Sequence, residues 1–200
     1  MNRLIIIGAS GHGKVIADIA VLNGYSDIIF LDDDTYINEC AGWPVVGKSD
    51  EAPVGEVFVA VGNARIRKLL TERYIDRKQP TLIHPSAVIA NGVEVGEGTA
   101  VMAGAVINPG ARIGRSCIIN TSSSVDHDCL VEDYCHISVG AHLCGTVTVG
   151  EGTWIGAGAT VSNNVAVCGG CMIGAGAVVI KDISKPGTYV GVPSRQIKES

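Results

Sequence analysis

Val149-Gly150-Glu151-Gly152-Thr153-Trp154-Ile155-Gly156-Ala157-Gly158-Ala159-Thr160-Val161 places an aliphatic residue at every sixth position. The spacing runs outward without a slip. From Ile83 to Val179 each sixth residue is Ile, Val or Leu, seventeen in all. With that residue as position one, position five is small or β-branched (Ala87, Thr99, Cys129, Ala177) and position four is glycine nine times. So short a repeat belongs to a β-helix, where a single coil cannot bury its apolar side and neighbours must stack. Six residues make one short strand and one corner. Three hexads close a triangular coil, so seventeen give nearly six coils. Position one then points inward in columns, each aliphatic side chain contributing roughly 1.5–3 kcal/mol on burial. Position five fills the crowded inner corner, and glycine or Asn164 supplies the positive φ that a tight corner needs.

Residues 1–80 lack this period. Arg3 to Ile7 reads as a buried parallel strand, Lys14 to Asn23 has helical spacing, Ile28 to Leu31 and Val57 to Val61 are further strands, and Arg65 to Arg73 is a second helix. This order predicts an α/β half-domain of Rossmann type over 1–80, a junction near Pro80, and the β-helix over 81–200. The first strand ends in Gly8-Ala9-Ser10-Gly11-His12-Gly13. A glycine loop feeding a helix lets the backbone approach a phosphate at the positive end of the helix. Asp32-Asp33, closing the second strand, suits a ribose hydroxyl or a base. The G-x-x-G-x-G spacing and the small size of the unit favour a nucleoside diphosphate over a dinucleotide. The plain alternative is a tight strand-to-helix turn.

The chain is 46% hydrophobic and carries a formal charge of −5, which argues against nucleic acid or an anionic membrane as partner. Leu4-Ile5-Ile6-Ile7 is too short for a membrane span or a signal peptide, so a cytoplasmic protein is expected. Of the seven cysteines, Cys117, Cys129, Cys135 and Cys171 occupy position five, interchangeable with Ala and Thr. Cys144 and Cys168 fall at position two and Cys40 in the other domain; no C-x-x-C pair with zinc-ligand spacing is expected, and packing is favoured over a metal or redox role.

Two successive hexads break the bland outward pattern: Val125-Asp126-His127-Asp128-Cys129-Leu130 and Val131-Glu132-Asp133-Tyr134-Cys135-His136. Asp128 and Tyr134 stand where glycine is usual. Departures from a consistent pattern are where function is expected. His127 falls on an outward position between two acids, an arrangement that suits a general base, although a surface histidine between solvated carboxylates would read the same way. His136 and His142 occupy position six of consecutive hexads, a third of a turn apart, and cannot share one ion within a chain.

Ile7 to Gly13, Phe30-Leu31-Asp32-Asp33, Val61-Gly62-Asn63, Asn120 to Asp128, His136 to Ala141 and Val190 to Arg195 together resemble, in order along the whole chain, the sialic-acid O-acetyltransferase superfamily. The nearest members are the bacillosamine-pathway enzymes that N-acetylate a UDP-linked 4-amino-4,6-dideoxy sugar. The resemblance implies a left-handed coil, an exception to the right-handed crossover rule. It also implies a homotrimer with each site between two β-helices, acetyl-CoA as co-substrate, and no metal. Carried over by position, Ser10, Gly11 and His12 hold the diphosphate and sugar, Asp32, Asp33 and Gly62 surround the nucleoside, and Asn120 lies on the substrate side. His127 takes the proton from the attacking amine, Asp128 tunes it, and the Gly145 N–H faces the oxyanion. His136, Ala157, Ala175 and the stretch ending at Arg195 line the acetyl-CoA groove. The family often has Glu where Asp128 stands, which leaves open whether Asp126 or Asp128 does the tuning. Competing readings are sugar O-acetylation, GDP-perosamine-type N-acetylation, a nucleotide-sensing trimer with a disused site, and a β-helical carbonic anhydrase with histidine ligands across chains.

Overall fold

The computed structural model describes residues 3–197. Its first part is a three-stranded parallel sheet with β1 (Leu4–Ile7) at the centre, β2 (Ile28–Leu31) on one side and, beyond a hairpin of β3 (Glu39–Cys40) and β4 (Trp43–Pro44), β5 (Glu56–Val59) on the other. Successive side chains leave a strand on opposite faces, and each face has its own cover. Leu4, Ile6, Phe30 and Phe58 pack with Ile16, Ile19 and Ala20 of α1 (Gly11–Leu22). Ile5, Ile7, Val57 and Val59 pack with Leu70 of α2 (Ala64–Arg73) and Tyr74. Helix α1 starts three residues before the apolar spacing suggests, because Gly11-His12-Gly13 carries no periodic signal. Ser10 sits at its N-cap.

The second part is a parallel solenoid of about six coils. Position six and position one form a two-residue strand, followed by a four-residue corner. Strands stack with their partners one coil away, as in Val106↔Ser124↔His142, giving three parallel sheets and three edges. The sheets are numbered by their opening strands, the first from Leu82–Ile83, the second from Val88–Ile89 and the third from Glu94–Val95. Every position-one residue from Val101 to Val179 is buried, together with the position-five residues between them, and they form one core along the axis. The left-handed backbone falls on position four of every corner from Gly92 to Gly176. Six of those residues are not glycine: Ser116, Ser122, Asp128, Tyr134, Thr146 and Asn164, with φ between 50° and 63°. Each costs of order 1 kcal/mol, so Asp128 and Tyr134 stand where the chain spends strain.

One face of the prism docks the α/β part. Its position-six residues in the first coils, Leu82, Ala100 and Ile118, are buried in the same cluster as Ile16 and Phe30. This differs from the expectation that only positions one and five are inside. Arg67 of α2 pins the junction. It is 1% exposed, and its guanidinium donates to the carbonyls of Ser116, Val61, Gly62 and Tyr134. Four carbonyls of two different elements meet on one planar fork, which fixes α2 against the coil that carries His136. Tyr134 is also covered, with Lys68 Nζ 5.5 Å and Arg115 Cζ 5.7 Å from its ring centre.

The cysteine packing follows the frame with one exception. Cys117, Cys129 and Cys135 point Sγ at the carbonyls of Glu132, Cys144 and Gly150 at 3.1–3.2 Å. Thr99 and Thr153 make the same contact with hydroxyls, to Gly114 and Cys168. The exception is Cys168-Gly169-Gly170-Cys171, a C-x-x-C pair, which corrects the expectation that the chain has none. Among the described residues no group of three or more His, Cys, Asp or Glu could hold a metal ion, and no helix is long and apolar enough to cross a membrane.

Candidate active site

His127 occupies the edge between the second and third sheets, and its ring points out of the prism with 55% of the side chain exposed. Its Nδ1 donates to Asp128 Oδ2 at 2.8 Å. The left-handed φ of 58° at Asp128 turns that carboxylate back toward its neighbour. Asp126 is engaged elsewhere: its Oδ1 accepts from Asn108 Nδ2 and from the His127 backbone N–H, both at 2.8 Å. These bonds hold the Asp126 carboxyl below the ordinary carboxylate range. The geometry therefore makes Asp128 the imidazole's partner, while Asp126 fixes the backbone beneath it. The bond to Asp128, then the charges of Asp126 and Asp128, raise the pKa of His127. With Nδ1 as donor, Nε2 presents a lone pair to solvent. One coil along, Gly145 lies directly against that nitrogen. A Cβ there would overlap Nε2 and come within 2.6 Å of Cε1 and 3.1 Å of Cδ2. Only glycine leaves room for the ring, and the Gly145 N–H makes no hydrogen bond among the described residues.

A second group gathers where the α/β part meets the solenoid. His12, in the first turn of α1, is largely buried, and burial followed by the charge of Arg67 pushes its pKa down to about 4. His136 is lowered to about 3 by burial, Arg67 and His12. Asn120 Nδ2 donates to His136 Nε2 at 3.1 Å, while Asn120 Oδ1 accepts from the Thr121 N–H. This places the His136 proton on Nδ1. Among the described residues, neither His136 Nδ1 nor His12 Nε2 has a hydrogen-bond partner, although both atoms are buried. The His136 ring stacks on Trp154 at 4.8 Å between centres. A cleft of about 220 Å³ opens beside the pair, bounded by Gly62–Arg65 across from Trp154 and Met172. Neither Arg67 nor Trp154 was singled out from the sequence. An arginine in a charged helix reads as a surface residue, whereas Trp154, a lone aromatic at position six between β-branched neighbours, was a signal available to find.

The glycine loop divides by role. Gly8, at φ +108°, packs so close to Ala60 that a Cβ would lie 2.7 Å from its carbonyl oxygen, and Gly13 packs on Gly8 itself. Gly11 faces open space, so packing does not require its lack of a side chain. Ser10 is exposed and its side chain caps nothing. Asp32 braces the loop, accepting from the Ala9 N–H at 2.7 Å and from the Asp34 N–H at 2.9 Å. Asp33 holds the Ser49 N–H and hydroxyl, both at 3.0 Å, which keeps its carboxyl below the usual range. Both carboxylates thus already serve backbone. A groove of about 300 Å³ runs past Asp32 but not Asp33, lined also by Asn38, Lys48 and Glu51. Gly62 gives its carbonyl to Arg67.

Ala157 and Ala175 lie one coil apart, exposed, on the edge between the first and second sheets. The strand Gly187–Val190 extends the first sheet parallel to Cys171–Ile173, then returns as Arg195–Gln196. Arg195 is exposed and bonded to the Ser194 carbonyl. One chain therefore brings together His127, Asp128 and Gly145 on one edge, and His12, Asn120 and His136 at the junction. It leaves Ala157 and Ala175 on a different edge from the imidazole.

Comparison with known proteins follows this division. Residues 3–74 match the PglD N-terminal domain. Over the whole chain, the acetyltransferase domain of PglB from Neisseria gonorrhoeae FA1090 is 41% identical, superimposes with a TM-score of 0.94, and is covered in full by 98% of this chain. The chain belongs to the PglD family of hexapeptide-repeat sugar N-acetyltransferases. A mutant of perosamine N-acetyltransferase from Caulobacter crescentus, in complex with CoA and GDP-perosamine, is 35% identical with a TM-score of 0.94 over 100% of this chain and 98% of its own. UDP-N-acetylbacillosamine N-acetyltransferase from Bacillus subtilis (strain 168) is 39% identical over 115 residues, and the match spans about half of that relative, 52%. The hand of the coil is that of the left-handed β-helix acetyltransferases.

Proposed function

We propose that the protein transfers acetyl from acetyl-CoA to the 4-amino group of a nucleotide-linked sugar, a UDP-4-amino-4,6-dideoxy sugar before a GDP-perosamine-type one. The observation that carries this reading is the acid-held imidazole of His127, aimed out of the prism with its Nε2 free above a glycine that leaves it room. A thioester is already activated, so the protein need supply only proximity, a base and an oxyanion donor. The amine lone pair attacks the thioester carbonyl carbon and its proton passes to His127 Nε2. Collapse of the tetrahedral adduct breaks the C–S bond and expels the CoA thiolate, which recovers a proton from the imidazolium. Asp128 holds the ring in the required tautomer, and the Gly145 N–H is placed to receive the oxyanion.

Gly11 and the open helix end behind Ser10 serve the diphosphate, with His12 and Asn120 toward the sugar. Asp32, Asp33 and Gly62 form the nucleoside end, more as scaffold than as direct ligands, since both carboxylates hold backbone. On this reading residues 1–80 deliver the acceptor. Residues 81–200 supply the base and, through His136, Ala157, Ala175 and Arg195, the acetyl-CoA groove. Because Ala157 and Ala175 lie on a different edge from His127, the site closes only when a second copy brings its groove to this imidazole, and a homotrimer satisfies that for all copies at once. The cytoplasm, where acetyl-CoA and nucleotide sugars are made, is the place for this chemistry.

The test is acetyl-CoA turnover against a panel of UDP-4-amino sugars, GDP-perosamine and free sialic acid, with sedimentation of the same sample. Preference for a UDP-linked amine and a trimer supports the reading. Turnover on sialic acid alone would turn it toward O-acetylation, and a fully active monomer would remove the shared site.

A further inference from the structure

Cys168-Gly169-Gly170-Cys171 stands apart from the other cysteines. The two sulfurs lie 3.6 Å apart. The other position-five cysteines place Sγ 3.1–3.2 Å from a carbonyl. Cys171 lies in the last coil, where the corner of a following hexad is replaced by the turn into the carboxy-terminal strand, and its nearest carbonyl, that of Lys185, is 3.7 Å away. Its closest polar partner is the other thiol. Cys168 is half-buried and Cys171 buried. Between them is a diglycine corner, with Gly170 at φ +71°, so the backbone carries no side chain that would resist the sulfurs closing from 3.6 Å to bonding distance.

We propose that Cys168 and Cys171 form a redox-active dithiol, closed to a disulfide by a low-molecular-weight disulfide such as oxidised glutathione. The more exposed Cys168, as thiolate, attacks one sulfur of the oxidant and expels the first thiol, leaving a mixed disulfide. Cys171 then loses its proton and attacks Cys168 Sγ, and the second thiol departs. The protein loses two electrons and two protons, and the oxidant gains both as two thiols. Burial, then the hydrogen bond the Cys171 thiol shares with Cys168, pushes Cys171 up to about 12, so Cys171 stays protonated until the mixed disulfide on its neighbour has formed, and the first attack falls to the more exposed Cys168. The bond acts on one wall of a cleft: Cys171 begins the strand carrying Met172, which faces Gly62–Arg65 beside Trp154. Reversible disulfides of this kind are the sort found in reducing compartments. The proposal is independent of the acetyl-transfer reading.

The experiment uses the reduced full-length chain. The folded protein is incubated with oxidised glutathione, freed of reagent, denatured, and its thiols counted, with the intact mass recorded in parallel. The seven thiols should fall to five, the mass should drop by two hydrogens without a glutathionyl group, and dithiothreitol should restore all seven. Cys171→Ala, an exchange that position five already shows at Ala159 and Ala177, should stop at a glutathionyl adduct on Cys168. Cys168→Ala should keep its remaining thiols. Survival of all seven wild-type thiols would overturn the proposal. So would a wild-type product that stops at the adduct, or a disulfide that still forms in both variants.

Discussion

Gly145→Ala should disable the protein without unfolding it. The added Cβ would stand 2.6 Å from His127 Cε1 and 3.1 Å from Cδ2, and nearer still to Nε2. Ordinary carbon contacts lie near 3.5–4.0 Å, so the ring must withdraw by about 1 Å. Gly145 is outside the left-handed region, so its backbone accepts alanine. The ring is exposed and can swing into solvent at little cost to the fold, and the melting temperature should hold within about 2 °C. A 1 Å misplacement of a reacting group costs about 10²-fold in rate. We therefore expect kcat to fall by about 10²-fold with KM for both substrates nearly unchanged, read as CoA thiol released per second at saturating acetyl-CoA and acceptor. His127→Ala should lose about 10²–10⁴-fold, the range of a general base. The double variant should be no worse than His127→Ala alone, because both act through one imidazole. Full activity of Gly145→Ala at an undisturbed fold would mean that the position of this ring does not matter to catalysis.

Three further outcomes are open to measurement. The bond from His127 Nδ1 to Asp128 raises the His127 pKa, and a base must be neutral to act. The acid limb of kcat/KM should therefore have its midpoint above 6.5, and Asp128→Asn should move it down; an unmoved midpoint would detach Asp128 from the base. His12 and His136 are held neutral, at about 4 and about 3, against an unfolded value near 6.5. Above 6.5 both states are neutral and nothing is lost. As pH falls below 6.5 the unfolded chain binds protons that the folded chain refuses until about pH 4, so stability falls across that window. The melting temperature should drop between pH 6.5 and 4, and less steeply in His12→Asn; a flat profile would show the two rings to be protonated in place. Gly11→Val points its side chain into open space, so it should weaken nucleotide-sugar binding at least about tenfold and leave acetyl-CoA binding alone by calorimetry. Equal loss for both ligands would reassign the loop.

The fold was legible because a period of six survives seventeen times without a slip and the inward residues never change character. The orientation of His127 followed from the same frame. The docking of the α/β part was written less plainly, in Leu82, Ala100 and Ile118, a second period of eighteen residues laid over the first. Arg67 left no mark, since burial of a guanidinium against carbonyls of residues 49 and 67 positions away is a property of the assembled junction. Asp32 and Asp33 mislead in the opposite direction. Acids at a strand end suit a ribose, yet here both hydrogen-bond loop backbone, and composition cannot tell the two uses apart. The cysteine pair escaped because each member separately satisfies the hexad, and only their separation of three marks them as a pair.

The most direct test is a crystal structure with CoA and a nucleotide-linked 4-amino sugar bound together. The sugar amine should lie within hydrogen-bond reach of His127 Nε2 with the CoA sulfur beside it, and pantetheine should be held along the Ala157–Ala175 edge of a second copy. An amine resting against some other residue, or CoA confined to an edge that no copy brings to His127, would contradict this arrangement.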